Sequence, residues 1–408
     1  MKHFERIPMS TDLVCMLQEL VRIPSVNPMG RDVQGDIYFE GKMNDWLDSW
    51  FNKLGVEYRR QTLEPGRDNI IAIFPGTIAP QEGGKLLMLE AHQDTVPVDG
   101  MTIDPFDPMI KDGRMFGRGS CDIKGGMACM LTAFERIVQE QPDPRPTVVM
   151  ACSVNEEYGM SGADIMPLLW EDGDQFWFSK PDGVIVAEPT MLDIVVAHKG
   201  VTRFLIEVAG KACHSSQPQL GNNAIYRMSH IVRVLEHYAQ HVVGTLNEHP
   251  LVSNPTLNVG MIGGGISINT VPDQCSIEVG RRVSPSECPD EAFAHILNYV
   301  RQELAEEDWV SEITFHEPTI SKSGLNDKIN GEFAAYLQQV VQKAGHSGQR
   351  IGVPYGTDGQ AFCRAEVPTV VFGPGSIDQA HTKDEWIELE QLEAASELYY
   401  QMIVQFGA

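Results

Sequence analysis

Two histidines, two aspartates and three glutamates stand where they could act together on a polar bond. The apolar run LLMLEA leads into His92-Gln93-Asp94, and TVVMACSV leads into Asn155-Glu156-Glu157. GVIVA ends at Glu188, and TVVFGPGS precedes His381. A seventh group, Asp122, lies in the glycine-rich stretch GRGSCDIKGG, just before a helical pattern. Imidazole nitrogens and carboxylate oxygens suit zinc, with cobalt or manganese as substitutes. A paired site ~3.5–4 Å across needs a bridging carboxylate and two or three terminal ligands per ion, and five such groups meet that need. Positions i and i+2 of a strand share a side, so Asp94 is placed to orient the His92 imidazole. Adjacent residues diverge. One of Glu156 and Glu157 can therefore bind metal while the other reaches a metal-bound water as general base.

Taken singly, each feature has a plain structural explanation: a surface His-x-Asp pair, a solvated glutamate pair, an aspartate in a turn. Placement at the ends of four separate apolar runs outweighs those explanations. In open α/β sheets ligands bind where the carboxyl ends of the strands converge. Other chemistries lack their signatures, since there is no GxSxG elbow, Walker loop, HExxH or GxGxxG.

The elements that must carry these groups follow from the pattern. Asn69–Phe74, Lys85–Glu90, Thr147–Val154, Asp182–Ala187 and Val367–Phe372 are short apolar runs. Helical spacing separates them, at an amphipathic opening segment, over 33–54 and over Gly125–Gln139. Runs apolar throughout predict strands covered on both faces, in an α/β fold with a mostly parallel sheet flanked by helices. The middle differs. VTRFLIEV (201–208) alternates, Asn222–Val242 is helical, Leu257–Ile262 and Cys275–Val279 are strand-like, Asp290–Glu306 is helical and Ser311–Phe315 is strand-like. That β-α-β-β-α-β order predicts an inserted ferredoxin-like α+β domain. The expected divisions are 1–194 and 316–408 for a catalytic domain in two parts, with 195–315 inserted. Gly263-Gly264-Gly265 reads as a bend or bulge.

Composition sets the outer limits. At ~150 residues per domain, 408 residues predict two or three domains. With 56 acidic against 31 basic residues, the net charge of −25 disfavours a nucleic-acid partner. Eight scattered cysteines without a CxxC pair are expected to be reduced thiols. The opening residues lack the apolar run of a signal peptide, and nothing approaches the ~20 apolar residues of a membrane span. A soluble, cytoplasmic protein without a membrane partner is the expectation.

Together, HQDTVPVDGM, DPFDPMIKDGRMFGRGSCDIKGG, NEEYGMSGA, AEPT and FGPGSIDQAHTKDEWI resemble the M20 family of metallopeptidases and deacylases. The motifs occur in family order, and the resemblance covers about residues 12–405. GPGSIDQAH and KACHSSQP are most similar to its acetylornithine deacetylase branch, with succinyl-diaminopimelate desuccinylase alongside. The resemblance implies a zinc-exopeptidase-like catalytic domain holding two divalent ions. His92 and Glu188 would bind one, Glu157 and His381 the other, and Asp122 would bridge. Asp94 would be the acid orienting His92 and Glu156 the general base. The inserted domain would serve as lid and homodimerisation module. His214 would reach across the dimer to polarise the scissile carbonyl, and Asn269 and Arg282 would contact substrate. Gln93 stands where Thr or Ser is commoner, and Cys213 where Ala is usual; neither change removes a functional group. The implied activity is release of an acyl group from an N-acylated amino acid such as N-acetylornithine. A desuccinylase, aminoacylase, carbamoyl-amidase or dipeptidase would use the same residues. A non-catalytic binding module is the rival from another class, and the complete ligand set argues against it.

Overall fold

A computed structural model describes residues 12–171 and 179–407. The start of the opening amphipathic pattern, with His3, lies outside the described residues. The described strands are, in chain order, β1 (Glu57–Glu64), β2 (Arg67–Phe74), β3 (Leu86–His92), β4 (Met109–Lys111), β5 (Arg114–Phe116) and β6 (Thr147–Ser153). They continue with β7 (Gly183–Val186), β8 (Ile194–His198), β9 (Gly200–Ala209), β10 (Thr256–Gly264) and β11 (Gln274–Val283). The last are β12 (Ile313–Phe315), β13 (Ile320–Lys322), β14 (Arg350–Val353), β15 (Thr369–Val371) and β16 (Trp386–Glu388).

The chain folds into two units. One comprises Met1–Val196, Asp327–Ile351 and Thr357–Ala408, and the other Ala197–Asn326 with Gly352–Gly356. The larger contains an eight-stranded sheet in the order β1-β2-β6-β3-β7-β15-β8-β14. Its centre is parallel, through the pairs β6–β3, β3–β7 and β7–β15. Every residue of β3, β6 and β7 is buried, which is why these strands read as continuous apolar runs. The flanks are antiparallel: β1 pairs with β2, β2 with β6, and β8 with β15. β1 and β2 form a hairpin, and Tyr58 and Gln61 alternate with exposed neighbours at that edge.

The helices Leu13–Arg22, Lys124–Glu140, Gly331–Lys343 and Leu389–Phe406 contribute to one apolar core with these strands. The sequence pattern predicts a helix over 33–54, but the helix starts at Gly41. Gly35 (φ 138°) and Phe39 (φ 66°) adopt left-handed backbone that no helix contains. Glu40 is held instead by a buried pair with Arg67, at 2.5 and 2.9 Å. Gly126 illustrates how close the packing is. A Cβ there would lie 2.9 Å from the Ala187 side chain, so only glycine lets the helix Lys124–Glu140 approach the end of β7.

The second unit runs β9, helix Ala224–His237, β10, β11, helix Pro289–Glu303, β12, the expected β-α-β-β-α-β order. Its antiparallel sheet has the order β10-β11-β9-β12, with β13 also on β9. Burial alternates along β9 and β11, so one face packs on the two helices while the other stays open. β10 carries a bulge between Val259 and Met261, and Gly265 follows at φ 75°. All eight cysteines are free thiols. Among the described residues no helix is long and apolar enough to cross a membrane.

Candidate metal centre

Parallel strands deliver the chemistry at their carboxyl ends. His92 is the last residue of β3, and its Nε2 lies 3.2 Å from Asp122 Oδ1 and 3.9 Å from Glu188 Oε1. Its Nδ1 meets the main-chain oxygen of Asp94 at 2.9 Å, closer than the Asp94 carboxylate at 3.7 Å. That carboxylate receives hydrogen bonds from the Glu156 and Glu157 amides, at 3.1 and 3.2 Å, and from Asn27 Nδ2 at 2.7 Å. Asp94 therefore fixes the glutamate pair as well as neighbouring His92.

Glu156 and Glu157 lie in a one-turn helix, Glu156–Gly159, rather than at an extended strand end. The two side chains still diverge. Glu157 Oε2 lies 3.1 Å from His381 Nε2, which is also 3.2 Å from Asp122 Oδ2. Glu157 Oε1 accepts from the Val96 amide. Glu156 is grouped with His92 and Glu188 instead. Ligand atoms of His92, Asp122 and Glu157 fall within 4.8 Å of one another, and so do those of His92, Glu156 and Glu188.

Asp122 is placed by a residue that sequence reasoning missed. Glu385 accepts from the amides of Gly119, Cys121 and Asp122 and from the Arg118 guanidinium, at 2.7–3.0 Å. In sequence, HTKDEW looks like a solvated charge run; only complete burial of Glu385 separates it from its neighbours. Asn27, in PSVNPMG, was equally silent, yet its Nδ2 joins Asp94 to Asn155. Glu90 and Asp358 are also buried behind β3, where Ser153 Oγ donates to Asp358 at 2.7 Å.

The electrostatics describe a cluster short of positive charge. Burial opposes the Asp122 charge, but hydrogen bonds from His381 and His92 outweigh it and hold the carboxyl below its usual range. Hydrogen bonds to Asp122 and Glu157 push His381 up to about 10. Burial disfavours a charged His92, yet Asp122 and the surrounding carboxylates raise it well above its ordinary value. Burial, then the Asp122 charge, pushes Glu157 up to about 7. Burial drives Glu156 and Glu188 well above the carboxylate range. Buried carboxylates this close are costly unless a cation neutralises them. The nitrogen and oxygen donor set fits zinc, cobalt or manganese.

His214, Asn269 and Arg282 belong to the second unit. His214 is exposed, bridges to Thr270, and its Nδ1 lies 2.7 Å from Ser216 Oγ. The Ser215 amide donates to the Asn269 main-chain oxygen, so His214 and Asn269 stand on adjoining segments. Arg282 is half-buried near the end of β11, opposite Val201.

Comparison with known proteins finds relatives of this chain. The family model described as Peptidase family M20/M25/M40 matches residues 88–405. An acetylornithine deacetylase of Vibrio campbellii is 32% identical over 372 residues, 90% of this chain and 91% of that protein. A tripeptidase from Staphylococcus aureus superposes with a TM-score of 0.75 at 22% identity, covering 97% of this chain and 98% of that one. A dinuclear metal-binding M20 peptidase from Bacillus subtilis gives 0.68 at 17% identity, covering 97% of each chain.

Proposed function

The chain belongs to Peptidase family M20/M25/M40, a metal-dependent family of amide-bond hydrolases, and from that premise we propose that it removes the acyl group from an N-acylated amino acid. The observation that carries this reading is the pair of overlapping ligand clusters that share His92, with Asp122 hydrogen-bonded to both histidines. In this reading His92 and Glu188 would hold one divalent ion and Glu157 and His381 the other, with Asp122 as the shared carboxylate. Zinc is the expected metal. Bound ions would lower the pKa of a coordinated water to about 7 and polarise the amide carbonyl.

The chain's own residues do the rest. Glu156 is buried on the His92–Glu188 side and takes no part in either histidine–Asp122 contact, so it is the group assigned to take the proton of the attacking water. It returns that proton to the leaving amine. Asp94 holds Glu156 and Glu157 in register through their amides. His214 supplies a donor to the developing oxyanion, and Asn269 and Arg282 hold the substrate's α-carboxylate. The second unit serves as lid and as the homodimer contact. Supporting that contact, Met261, Ile262, Ile266 and Ile268 are 63–94% exposed on and after edge strand β10.

The curated relatives make N-acetylornithine the first compound to try. Zinc-loaded protein incubated with N-acetyl amino acids, N-succinyl amino acids and dipeptides should release free amine from the acyl amino acids. Chelation should abolish it. Hydrolysis of dipeptides alone would replace this reading with a peptidase.

A further inference from the structure

The open face of the second unit's sheet sets two arginines near each other in a chain of net charge −25, with Glu278 and Glu207 farther along the same strands. Across β9 and β11, Arg203 faces Gly280 and Val201 faces Arg282. Arg282 is thus on the diagonal from Arg203, ~7–8 Å away in the backbone and within reach of long side chains. Gly280 puts no side chain between them. The exposed acid Glu278 lies on the other diagonal of Arg203, away from Arg282.

Most strongly placed arginines here are paired with acids: Arg67 with Glu40, Arg118 with Glu385, and Arg281, next in sequence, with Glu287 on the buried face. Among the described residues, Arg203 and Arg282 have no such ion pair. Burial and the Arg203 charge lower the Arg282 pKa, so the two guanidinium groups act on each other. Lys199, whose Nζ donates to the Asn254 oxygen, is lowered by burial and by Arg282 in turn. Two like charges left side by side on an open face are stabilised by an anion with more than one oxygen to share.

We propose that Arg203 extends the subsite of Arg282: with Arg282 on the α-carboxylate, Arg203 beside it takes a second carboxylate that the substrate carries. This rests on the reading of the chain as an N-acyl amino acid hydrolase with Arg282 contacting substrate. The second carboxylate belongs either to an acidic side chain or to a dicarboxylic acyl group. The ammonium of an ornithine side chain would meet like charge at this face, so the substrate named for the curated relatives is disfavoured. Arg203 acts as a specificity residue.

The test compares kcat/KM of the zinc-loaded full chain on four compounds: N-acetylglutamate, N-succinylnorleucine, N-acetylnorleucine and N-acetylornithine. One or both of the first two should be preferred to N-acetylnorleucine by about tenfold or more, the worth of one charged hydrogen bond. Which of them leads identifies the source of the carboxylate. In Arg203→Ala that preference should fall by about tenfold, chiefly through KM. Arg203→Glu should shift selectivity towards N-acetylornithine. Because each readout is a ratio between substrates, a loss of folded protein does not move it. N-acetylnorleucine or N-acetylornithine cleaved best, with ratios unchanged in both variants, would overturn the second-carboxylate proposal and leave the acyl amino acid reading standing. No cleavage of any of the four would overturn both.

Discussion

Glu156 and Glu157 are adjacent, yet their surroundings divide their labour. Glu157 touches His381 and lies by Asp122, whereas Glu156 points to the His92–Glu188 side. Glu156→Gln should therefore lower kcat by about 10²–10⁴-fold, the usual worth of acid–base catalysis. Zinc content by mass spectrometry should remain near that of the parent. Normal turnover, or loss of metal, would reverse the assignment. Glu385 tests the support rather than the chemistry. Its carboxylate collects three amides and one guanidinium around Asp122, all buried. Glu385→Ala leaves Arg118 charged and buried, and such losses cost about 3–5 kcal/mol. Denaturant titration should show that drop, and metal affinity should weaken with it. A variant as stable as the parent would mean that the loop holds Asp122 unaided. The candidate ligands His92, Glu157 and Glu188 stand out in the sequence because each closely follows the end of an apolar run, whereas Asp122 is marked only by its glycine-rich stretch. Glu385 and Asn27 do not stand out, because hydrogen bonds to main-chain amides leave no trace in residue spacing.

At the scale of elements, legibility followed burial. Strands β3, β6 and β7 are covered on both faces and announce themselves as unbroken apolar runs. β9 and β11 alternate because one face is open. The antiparallel flanks could not be read, since direction depends on connections and not on the composition of a run. The start of the helix at Gly41 was likewise hidden, because the Glu40–Arg67 pair is a contact between distant segments. His198, at the end of β8, offers an element-scale test. Burial lowers its pKa to about 4, against about 6.5 when unfolded, so the folded state keeps it neutral. The unfolded chain then binds the extra proton as pH falls through 6.5, and stability drops until the folded group also titrates. Between pH 6.5 and 5 the loss attributable to His198 should be roughly 1.5 kcal/mol, less than the full 1.36 kcal/mol per pH unit because the unfolded histidine is half protonated at pH 6.5. Urea titrations at the two pH values should show this loss shrinking in His198→Asn. An identical pH dependence in parent and variant would show that His198 is not the group responsible.

At the scale of the whole molecule, bound metal would couple to stability. Ions bound only by the folded state stabilise it by mass action, about 2.7 kcal/mol at a hundredfold excess over Kd. Chelation should lower Tm in the parent and far less in Asp122→Ala, which lacks the carboxylate between His92 and His381. Full occupancy by two metals in that variant would remove Asp122 as the bridge. Assembly gives the most demanding test. If His214 serves the centre of a second copy, an exposed histidine beside Asn269 is where it should stand. Removal of one oxyanion donor costs about 10²–10³ in kcat, so His214→Ala should be nearly inactive while folding and binding metal as the parent does. Glu156→Gln should be inactive for a separate reason. Mixed dimers of the two variants then contain one centre with both defects and one centre with neither. Activity should return on mixing, up to about half of the parent rate per mixed dimer, as subunits exchange. Exchange demonstrated by mass, with no recovery of activity, would place His214 in the service of its own chain or outside the reaction.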